Sequence, residues 1–416
     1  MTNEMKSVPE LRFLQFDKEW EKTTIADIGD FYYGRSAPKW SITDDATIPC
    51  VRYGELYTKH KGTVKEIYSY TNIDRNKLRF SKGGEILIPR VGEDPMDFAK
   101  CSYLPFSGIA IGEMISVYNT DQNPVFITAY FNSQMKYEFA KRVEGASVSN
   151  LYYSYLKDIN LRIPTIEEQQ KIGIFFSKLD RQIELEEQKL EKLKEQKKGY
   201  MQKIFTQELK FKNSQLENIK WSYKTLEELN SFFTDGNYGE SYPKSEDMSD
   251  KNDGVAFLRG SNLKKGRITL EDANYISKKK HSELTTGHLF LDDIVIAVRG
   301  SLGAVGYVNE NMVGNNINSQ LAIIRTSNSL LYGKYLLYYL MSNQGKKELL
   351  SRVTGTALKQ LPIKQIKQIK VPVPKLHEQH KIANFLSELD NLIDNQTEKI
   401  ELLKERKKGF LQKMFV

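Results

Sequence analysis

The chain has 416 residues, of which 40% are hydrophobic and 27% charged, so it can build a packed core and is not a disordered protein. Its length predicts two or three domains rather than one. Lysine and arginine number 61 against 53 aspartates and glutamates, and the formal net charge of +8 favours an acidic partner such as nucleic acid, although charge alone is weak evidence.

Cysteine content and hydropathy exclude two further classes of protein. The two cysteines, Cys50 and Cys101, are too few for a disulfide framework or a four-cysteine zinc site, so we expect a reducing, cytoplasmic environment. The N-terminal residues lack the apolar core of a signal peptide. No stretch reaches the roughly 18 apolar residues that a membrane span requires, so we expect no membrane association.

The first predicted element is module 1, a mixed α and β domain over residues 1–163. It contains short β-type runs such as Glu85–Ile88, turn-forming residues, and an apolar helical stretch from Val125 to Phe139. Basic residues lie in its predicted loops, where arginine could bind guanine edges and lysine could hold phosphate. Any one of them is more often a solvated surface residue. The candidate DNA contacts in module 1 are Arg35, Lys39, Arg52 and Arg90.

The second predicted element is a long helix over residues 164–205. Between Ile172 and Ile204 the seam positions recur at alternating steps of four and three residues, which is typical of a coiled coil. The same pattern returns between Ile382 and Met414, in a C-terminal helix predicted over residues 374–416. The two helices align without a gap at an offset of 210 residues, so their seams share one phase.

Between the two helices lies module 2, predicted over residues 206–373. It repeats the mixed pattern, with a strand-like run at Asp293–Val298 and a helical stretch at Leu330–Leu350. The two modules differ more in their middles than the helices differ from each other, which suggests one task performed on two different targets. The candidate DNA contacts in module 2 are Arg259, Asn262, Lys264, Lys265, Arg299 and Ser301, asparagine being suited to adenine.

We expect the two helices to pair with each other in antiparallel fashion. A parallel pair in register would place Lys197 beside Lys407, whereas an antiparallel pair can place Glu186 opposite Lys407 and Lys197 opposite Gln396. The alternative is two amphipathic helices that dock on separate cores. The residues expected in the pairing are Leu179, Ile183, Glu186, Leu190, Leu193, Lys197, Ile393, Gln396, Ile400, Leu403, Lys407 and Phe410.

The repeat also looks cyclic. The segment after the first helix, Gln207–Phe211, resembles the segment Pro9–Phe13, so the end of the second helix would run naturally into the beginning of the chain. The sequence therefore predicts an α+β fold in a cyclic, approximately two-fold arrangement, with its termini close together: module, helix, module, helix.

No catalytic motif is recognisable in the sequence. The glycine-rich run Gly300–Gly306 is followed by a strand-like segment rather than a helix, and no phosphate-binding P-loop run occurs. His377, Glu378 and His380 do not have the spacing of a zinc protease. We therefore expect a protein with no catalytic residues, no metal site and no cofactor of its own.

Several of these segments together resemble the specificity subunit of a type I restriction–modification enzyme. The resemblance rests on the duplicated segments Pro164–Asp180 and Pro374–Asp390, which share Glu-Gln-x-Lys-Ile and Leu-Asp, and on the Lys-Lys-Gly-aromatic run near each helix end. It also rests on the W-x-x-x-T-[IL] pattern that begins at Trp20 and at Trp221. The resemblance covers nearly the whole chain.

The resemblance implies that each module is a target recognition domain reading one half of an interrupted, asymmetric double-stranded DNA sequence. The helices would set the gap and dock two methyltransferase subunits, which bind S-adenosylmethionine and methylate adenine after flipping it out. Restriction and translocation subunits would bring ATP and Mg²⁺. The alternatives are a recognition subunit of another type of restriction system and a protein scaffold that binds no DNA. A transcription repressor is less favoured, because nothing resembles a helix-turn-helix.

Overall fold

The computed structural model describes residues 7–209, 221–356 and 358–416, and the chain divides into two compact units. Unit 1 comprises Met1–Gln188 and Glu398–Val416, and unit 2 comprises Lys189–Thr397. Each unit thus contains one module, part of the helix that follows it, and part of the other long helix. The predicted sequence of module, helix, module, helix is confirmed.

Unit 1 is built around two four-stranded sheets. One has the strand order β2-β10-β6-β8 and the other β4-β3-β9-β5, while β1 pairs with β12 and β7 with β11. The strands are β1 (Glu21–Thr24), β2 (Gly29–Tyr33), β3 (Ile48–Val51), β4 (Ser69–Thr71), β5 (Phe80–Lys82), β6 (Glu85–Pro89), β7 (Val91–Gly92), β8 (Ser102–Leu104), β9 (Ser107–Ile111), β10 (Ile115–Thr120), β11 (Ser149–Asn150) and β12 (Asn160–Ile163). The helices of this part of the chain are α1 (Tyr53–Thr58), α2 (Pro124–Gln134), α3 (Lys136–Ala140) and α4 (Ile166–Phe205).

Unit 2 repeats this framework with additions. Its main sheet has the order β14-β23-β20-β21-β18-β17, its second sheet the order β15-β19-β16-β22, and β13 pairs with β24. The strands are β13 (Ser222–Thr225), β14 (Phe232–Asp235), β15 (Met248–Ser249), β16 (Val255–Leu258), β17 (Leu263–Lys264), β18 (Gly266–Ile268), β19 (Asn274–Ile276), β20 (Ile294–Ala297), β21 (Val305–Tyr307), β22 (Asn316–Ile317), β23 (Leu321–Arg325) and β24 (Lys370–Val373). The helices that follow α4 are α5 (Lys278–Glu283), α6 (Gly333–Met341), α7 (Asn343–Ser351), α8 (Ile363–Lys367) and α9 (Leu376–Lys413).

The second sheets of both units contain one parallel pair among antiparallel ones. Strand β3 runs parallel to β9 in unit 1, and β16 runs parallel to β22 in unit 2. The central strands β6 and β20 are buried along their whole length, which explains why both read as unbroken apolar runs rather than as alternating patterns. The parallel pairs bring residues distant in sequence to the same end of each module.

Each module packs on the beginning of the helix that follows it and on the end of the other helix. In unit 1 the core containing Trp20 includes Ile172 and Phe176 of α4 and Phe415 beyond α9. In unit 2 the corresponding core includes Ile204 and Phe205 of α4, together with Ile382, Ala383 and Leu386 of α9. Both ends of each helix are therefore anchored in apolar cores, and burial of these side chains fixes where the modules attach.

The predicted antiparallel pairing of α4 with α9 is confirmed within each unit. In unit 1 Phe175 packs edge-to-face on Phe410, and Asp180 forms an ion pair with Lys407. In unit 2 Tyr200 packs on Phe385, and Lys197 forms an ion pair with Asp390. As residue numbers rise along α4 from Phe175 to Tyr200, the partner residues on α9 fall from Phe410 to Phe385, so the helices are antiparallel.

The predicted register of this pairing is wrong by about one heptad. Lys407 contacts Asp180 instead of Glu186, Lys197 contacts Asp390 instead of Gln396, and Glu186 pairs with Lys399. The prediction matched seam residues only with seam residues. The structure instead offers each seam lysine a full carboxylate just beside the opposite seam, which attracts an ammonium group more strongly than an amide does.

Several of the expected pairing residues lie in the helix interface, although the register differs. Ile183, Gln396, Ile400 and Leu403 are buried. The partly buried members of the predicted set are Leu179, Glu186, Leu190, Leu193, Lys197, Ile393, Lys407 and Phe410.

The cyclic character of the repeat appears in matching backbone hydrogen bonds. The amide of Leu209, just after α4, donates to the carbonyl of Lys203 at 2.9 Å, and the amide of Leu11 donates to the carbonyl of Lys413, at the end of α9, at 2.8 Å. The N-terminal segment therefore follows α9 in space as the segment 206–209 follows α4 in sequence. Lys210 and Phe211, the last residues of the predicted match, lie outside the described residues.

Within the described ranges, no helix combines the length and the apolar character needed to cross a membrane.

Candidate nucleic-acid interface

In unit 1 the loop after β2 carries the first candidate residues. The amide of Gly34 donates to the carbonyl of Ile115 and that of Arg35 to the carbonyl of Ile111, so the loop starts from fixed positions on the sheet. Ser36 and Ala37 both have φ near +60°, and Ala37 is buried. The middle of the loop is held against the module by the buried Ala37, and Arg35 and Lys39 are exposed on either side of it.

A short helical turn, Lys39–Ser41, follows and presents Trp40 to solvent. The Trp40 side chain is 73% exposed, which is unusual for so large an apolar group. The turn is held from below, since Ser41 Oγ donates to the Pro38 carbonyl at 2.7 Å and Thr71 Oγ1 donates to Ser41 Oγ at 2.7 Å. Trp40 is thus an exposed aromatic on an ordered base, beside the basic side chains of Arg35 and Lys39.

Arg52 and Arg90 lie at the same end of module 1. The Gly112 amide donates to the carbonyl of Val51, and the Glu113 amide donates to the carbonyl of Ser36, which joins the Arg52 loop to the Arg35 loop. Arg90 follows β6, and its guanidinium lies over the Tyr33 ring at 4.9 Å. The structure therefore brings Arg35, Arg52 and Arg90 together, although they come from three separate segments.

Unit 2 builds the corresponding end of module 2 from matching pieces. Arg259 follows β16, and the Asn318 amide donates to the carbonyl of Leu258, the preceding residue, at 2.8 Å. Arg299 follows β20, and its guanidinium lies 5.5 Å from the centre of the Tyr238 ring. Ser301 lies beside Gly260, the residue after Arg259. Arg259 and Arg299 are thus brought together as Arg52 and Arg90 are in module 1, and Ser301 lies beside them.

The turn that presents Trp40 has a counterpart with a different side chain. In module 2 the turn Gly239–Ser241 is closed by Ser241 Oγ, which donates to the Tyr238 carbonyl at 2.8 Å, just as Ser41 Oγ closes the turn in module 1. By this match Glu240 occupies the position of Trp40. A three-residue turn closed by a serine therefore carries an aromatic residue in one module and an acidic residue in the other, although the first residue of the turn has a positive φ only in module 2.

The prediction that Asn262 contacts DNA is wrong for this structure. The Asn262 side chain is fully buried, its oxygen accepts the amide of Arg259, and its NH₂ group donates to the carbonyls of Thr269 and Glu271. The Asn262 amide thus makes its hydrogen bonds within the loop that follows Arg259 and stabilises that loop. An asparagine that closes a loop and one that reads adenine look alike in the sequence.

The remaining basic candidates of module 2, Lys264 and Lys265, lie on the hairpin between β17 and β18 at the edge of the main sheet. Both are exposed, but Lys264 forms an ion pair with Glu271 at 2.8 Å. Lys265 occupies the tip of the hairpin with φ +53°. Lys264 is linked to the arginine cluster through a neighbouring segment, because its partner Glu271 precedes Asp272, whose carbonyl accepts a hydrogen bond from the Arg259 guanidinium at 2.9 Å.

Tyrosines beside the arginines were not singled out in the sequence. Burial raises the pKa of Tyr33, and the neighbouring Arg90 acts in the opposite direction. Burial and the nearby Asp235 raise the pKa of Tyr238. Both phenols therefore stay neutral near pH 7, and the Tyr238 hydroxyl donates to the Ser319 carbonyl at 3.0 Å. For Tyr33 the available signal was an aromatic residue at a strand end followed by glycine and a basic residue, Tyr33-Gly34-Arg35.

Among the described residues, no group of three or more histidine, cysteine, aspartate or glutamate side chains could hold a metal ion. The two cysteines are free and buried, and burial raises the pKa of the Cys50 thiol to about 12, so Cys50 is not poised as a nucleophile. The chemistry available at the arginine-rich ends is therefore binding through positive charge, hydrogen bonds and aromatic faces.

Comparison with known proteins gives two matches to one family. The family model described as the type I restriction modification DNA specificity domain matches residues 17–195 and again residues 218–405. The type I restriction enzyme MjaVIII specificity subunit of Methanocaldococcus jannaschii is 24% identical over 425 residues, which cover 97% of this chain and 93% of that protein. The EcoBI specificity subunit of Escherichia coli is 25% identical over 264 residues, which cover 59% of this chain and 54% of that protein.

A solved structure shows the same fold. The crystal structure of a type I restriction–modification S subunit from M. genitalium superposes with a TM-score of 0.61 at 18% sequence identity. The superposition covers 98% of this chain and 99% of that one. The arrangement of modules and long helices is thus shared by proteins whose sequences have diverged widely.

Proposed function

Since the two matches span most of its length, the chain belongs to the family of type I restriction–modification DNA specificity proteins, and we propose that it reads a bipartite, asymmetric DNA target. Each module binds one half-site of double-stranded DNA. The observation that carries this proposal is the pair of equivalent arginine-rich ends built on one framework. The chain is a specificity component and not a catalytic subunit.

The side chains at these ends support unlike half-sites. Module 1 offers Arg35, Lys39, Arg52 and Trp40, a combination suited to guanine edges, phosphate and an aromatic contact. Module 2 offers Arg259, Arg299 and Ser301, and it places an acidic residue where module 1 has Trp40. Because the candidate DNA-contacting side chains of the two modules differ, the modules need not bind the same bases, and the target need not be a palindrome.

We propose further that the paired helices set the gap between half-sites. An α-helix rises about 1.5 Å per residue, so the 40 residues of α4 extend about 60 Å. Each end of α4 and of α9 is fixed in an apolar core, and ion pairs join the two helices within each unit. A helix held in this way changes its length only by insertion or deletion, which makes the gap a geometric quantity.

The helices and modules also assemble the rest of the enzyme in this proposal. Two methyltransferase subunits bind, one for each repeat, and bring S-adenosylmethionine for adenine methylation. Restriction and translocation subunits bring ATP and Mg²⁺. The chain itself needs no cofactor, and its arginine-rich ends select the sequence on which the partners act.

Single-molecule sequencing of methylated DNA from cells that express the chain with its partner genes tests the proposal. We expect methylated adenines in a sequence of two unlike half-sites separated by a fixed gap. Marks on an uninterrupted palindrome would contradict it. A gel-shift titration of the complex across salt concentrations separates the scaffold alternative, because contacts to phosphates give a steep dependence on salt and a scaffold that binds no DNA gives none.

A further inference from the structure

Both modules carry a short loop that is closed by matching backbone hydrogen bonds, near the end of the chain segment that precedes each long helix; Ala357, within the second loop, lies outside the described residues. In module 1 the loop Glu144–Asn150 is closed by two backbone hydrogen bonds between its end residues, of 2.9 and 2.7 Å. In module 2 the loop Thr354–Gln360 is closed in the same way by two hydrogen bonds of 2.9 Å. We call these the apex loops.

Each apex loop depends on a glycine in the left-handed region. Gly145 has φ +115° and Gly355 has φ +88°. A Cβ atom on either glycine would overlap a backbone carbonyl oxygen, that of Val148 in one loop and that of Leu358 in the other. The same residue of each loop is therefore folded over the glycine, which fixes the backbone from which its side chain projects.

The projecting side chains are exposed aliphatics. Val148 is 57% exposed and Leu358 is 87% exposed, whereas Ser149, which follows Val148, is buried. A protein-binding surface usually offers a continuous apolar patch of several hundred Å². A single exposed aliphatic on a loop closed by backbone hydrogen bonds resembles instead the side chains that proteins insert between base pairs.

The apex loops adjoin the arginine-rich ends. The amide of Leu151, which follows the loop of module 1, donates to the Arg90 carbonyl at 2.8 Å. The amide of Leu361, which follows the loop of module 2, donates at 3.0 Å to the carbonyl of Val298, the residue before Arg299. The residue that follows each apex loop is thus hydrogen-bonded to the segment that carries the arginine after the central strand of its module.

Loops that read different half-sites should differ, and Trp40 and Glu240 do. The apex loops are alike, so they serve an event common to both half-sites. Resting on the proposed function, we propose that Val148 and Leu358 are wedges that enter the DNA beside the target adenine of their own half-site and favour its extrusion from the stack. They are positioning residues: the methyltransferase partners perform the chemistry, and the wedge offsets part of the unstacking cost.

The experiment uses the complete complex of this chain with its methyltransferase partner and DNA in which 2-aminopurine replaces one target adenine. Fluorescence of 2-aminopurine rises when the base leaves the stack. We expect Val148→Ala to lower this signal, and single-turnover methylation, about tenfold at its own half-site, with DNA affinity changed less than about twofold. Leu358→Ala should act in the same way at the other half-site. Leu14→Ala, at another exposed leucine, serves as the matched control.

A base opposite the target that cannot pair with it should rescue both variants, since the wedge is then no longer needed. Unchanged fluorescence in the variants, or loss of methylation that a mismatch does not restore, overturns the proposal. Loss of complex assembly in mass photometry, with equal effects at both half-sites, shows protein docking instead. Failure of the wild-type complex to mark a bipartite target refutes the proposed function, whereas wild-type behaviour of both variants refutes the wedge alone.

Discussion

In module 1 the turn Lys39–Ser41 presents an exposed tryptophan, whereas in module 2 the matching turn Gly239–Ser241 presents Glu240. The strands beneath the two turns correspond, and both turns are closed by a serine hydroxyl. The apex loops, by contrast, are alike in both modules. The comparison indicates that the framework and the common steps are kept equal while the contacts that choose a sequence are free to differ.

The modules also satisfy the same buried position in different ways. Glu85 begins β6, is 1% exposed, and accepts hydrogen bonds from the backbone amides of Lys82 and Gly83. Asp293, just before β20, is fully buried and is paired with Arg325 by two hydrogen bonds of 2.9 and 2.8 Å. Asp293 also accepts the backbone amide of Phe290, as Glu85 accepts that of Lys82, so the modules share the local contact and module 2 adds a long-range cation. Their stabilities should therefore respond differently to the loss of a cation.

The largest effect should come from exchanging one reader. We expect replacement of the segment Thr24–Leu151 by that of another family member to change the first half-site completely and leave the second half-site and the gap unaltered. The segment ends at Thr24, in the pairing of β1 with β12, and at the buried Leu151, so the junctions fall in the shared framework. Methylome sequencing measures the outcome. A change in both half-sites would show that the modules do not read independently.

The next effect concerns the gap. Inserting four residues after Lys192 of α4, with a matching insertion in α9, should lengthen the paired helices by about 6 Å and widen the gap by one or two base pairs. The register expected from the sequence, with Glu186 opposite Lys407, would have placed the matching site near Leu402. Because Lys197 contacts Asp390, the residue facing Lys192 lies near Asn395, and the insertion belongs there. Insertion in α4 alone is the control and should destabilise the protein. An unchanged gap in the variant with both insertions would contradict the proposal that the paired helices set the gap between half-sites.

The sequence was sufficient for the architecture and insufficient for its long-range details. Seam periodicity and the offset of 210 residues predicted the two long helices and their antiparallel pairing. The register was missed because Asp180 and Asp390 flank the seams instead of occupying them, so counting seam positions ignored the carboxylates that the lysines contact. In the observed register both seam lysines contact a carboxylate, whereas the expected register gave Lys197 only the amide of Gln396.

The sequence predicted which types of residue form the candidate interface, but it did not predict which of them lie next to one another in the structure. Arg52 lies near Arg35 because β3 pairs with β9 in parallel, and Arg90 lies near Arg35 because β2 and β6 both pair with β10; no local pattern predicts either contact. Asn262 was misassigned because its partners include carbonyl groups of the backbone, which any sequence provides. Tyr33 was missed because strand aromatics are usually core residues.

The next prediction concerns the free energy of unfolding, which should depend on the cation beside the buried carboxylate of Asp293. Replacing Arg325 with methionine leaves Asp293 buried without its cation, which should lower the free energy of unfolding by about 3–5 kcal/mol. Arg79→Met in module 1, which removes an exposed guanidinium that donates to the Tyr33 carbonyl, should cost less than about 1 kcal/mol. Urea unfolding of the chain measures both. The double variant Arg325→Met with Asp293→Asn should recover most of the loss, and a double variant as unstable as the single one would refute the ion-pair account.

The Arg325→Met variant should also gain a dependence on pH. Burial raises the pKa of Asp293 in the folded chain, and Arg325 opposes the rise. A carboxyl group with a raised folded-state pKa contributes stability that is complete below its unfolded pKa near 4 and is lost as pH increases through the folded value. Removing Arg325 raises the folded pKa further, so the variant should be closer to wild type at pH 5 than at pH 7. An equal deficit at both pH values would exclude titration of Asp293.

The smallest effect tests the turn that differs between modules. Trp40→Ala should weaken binding of the assembled complex to its target by about tenfold, since an aromatic contact to a base contributes roughly 1–3 kcal/mol. Glu240→Ala, at the matching turn, should not weaken binding, because removal of an exposed negative charge near DNA lowers repulsion. Fluorescence anisotropy with targets altered in one half-site at a time assigns the loss. If Trp40 contacts bases of the half-site read by module 1, Trp40→Ala should bind a target with that half-site scrambled almost as well as the unsubstituted chain does. An equal loss of affinity on scrambled and intact targets would show that the Trp40 contact carries no sequence information.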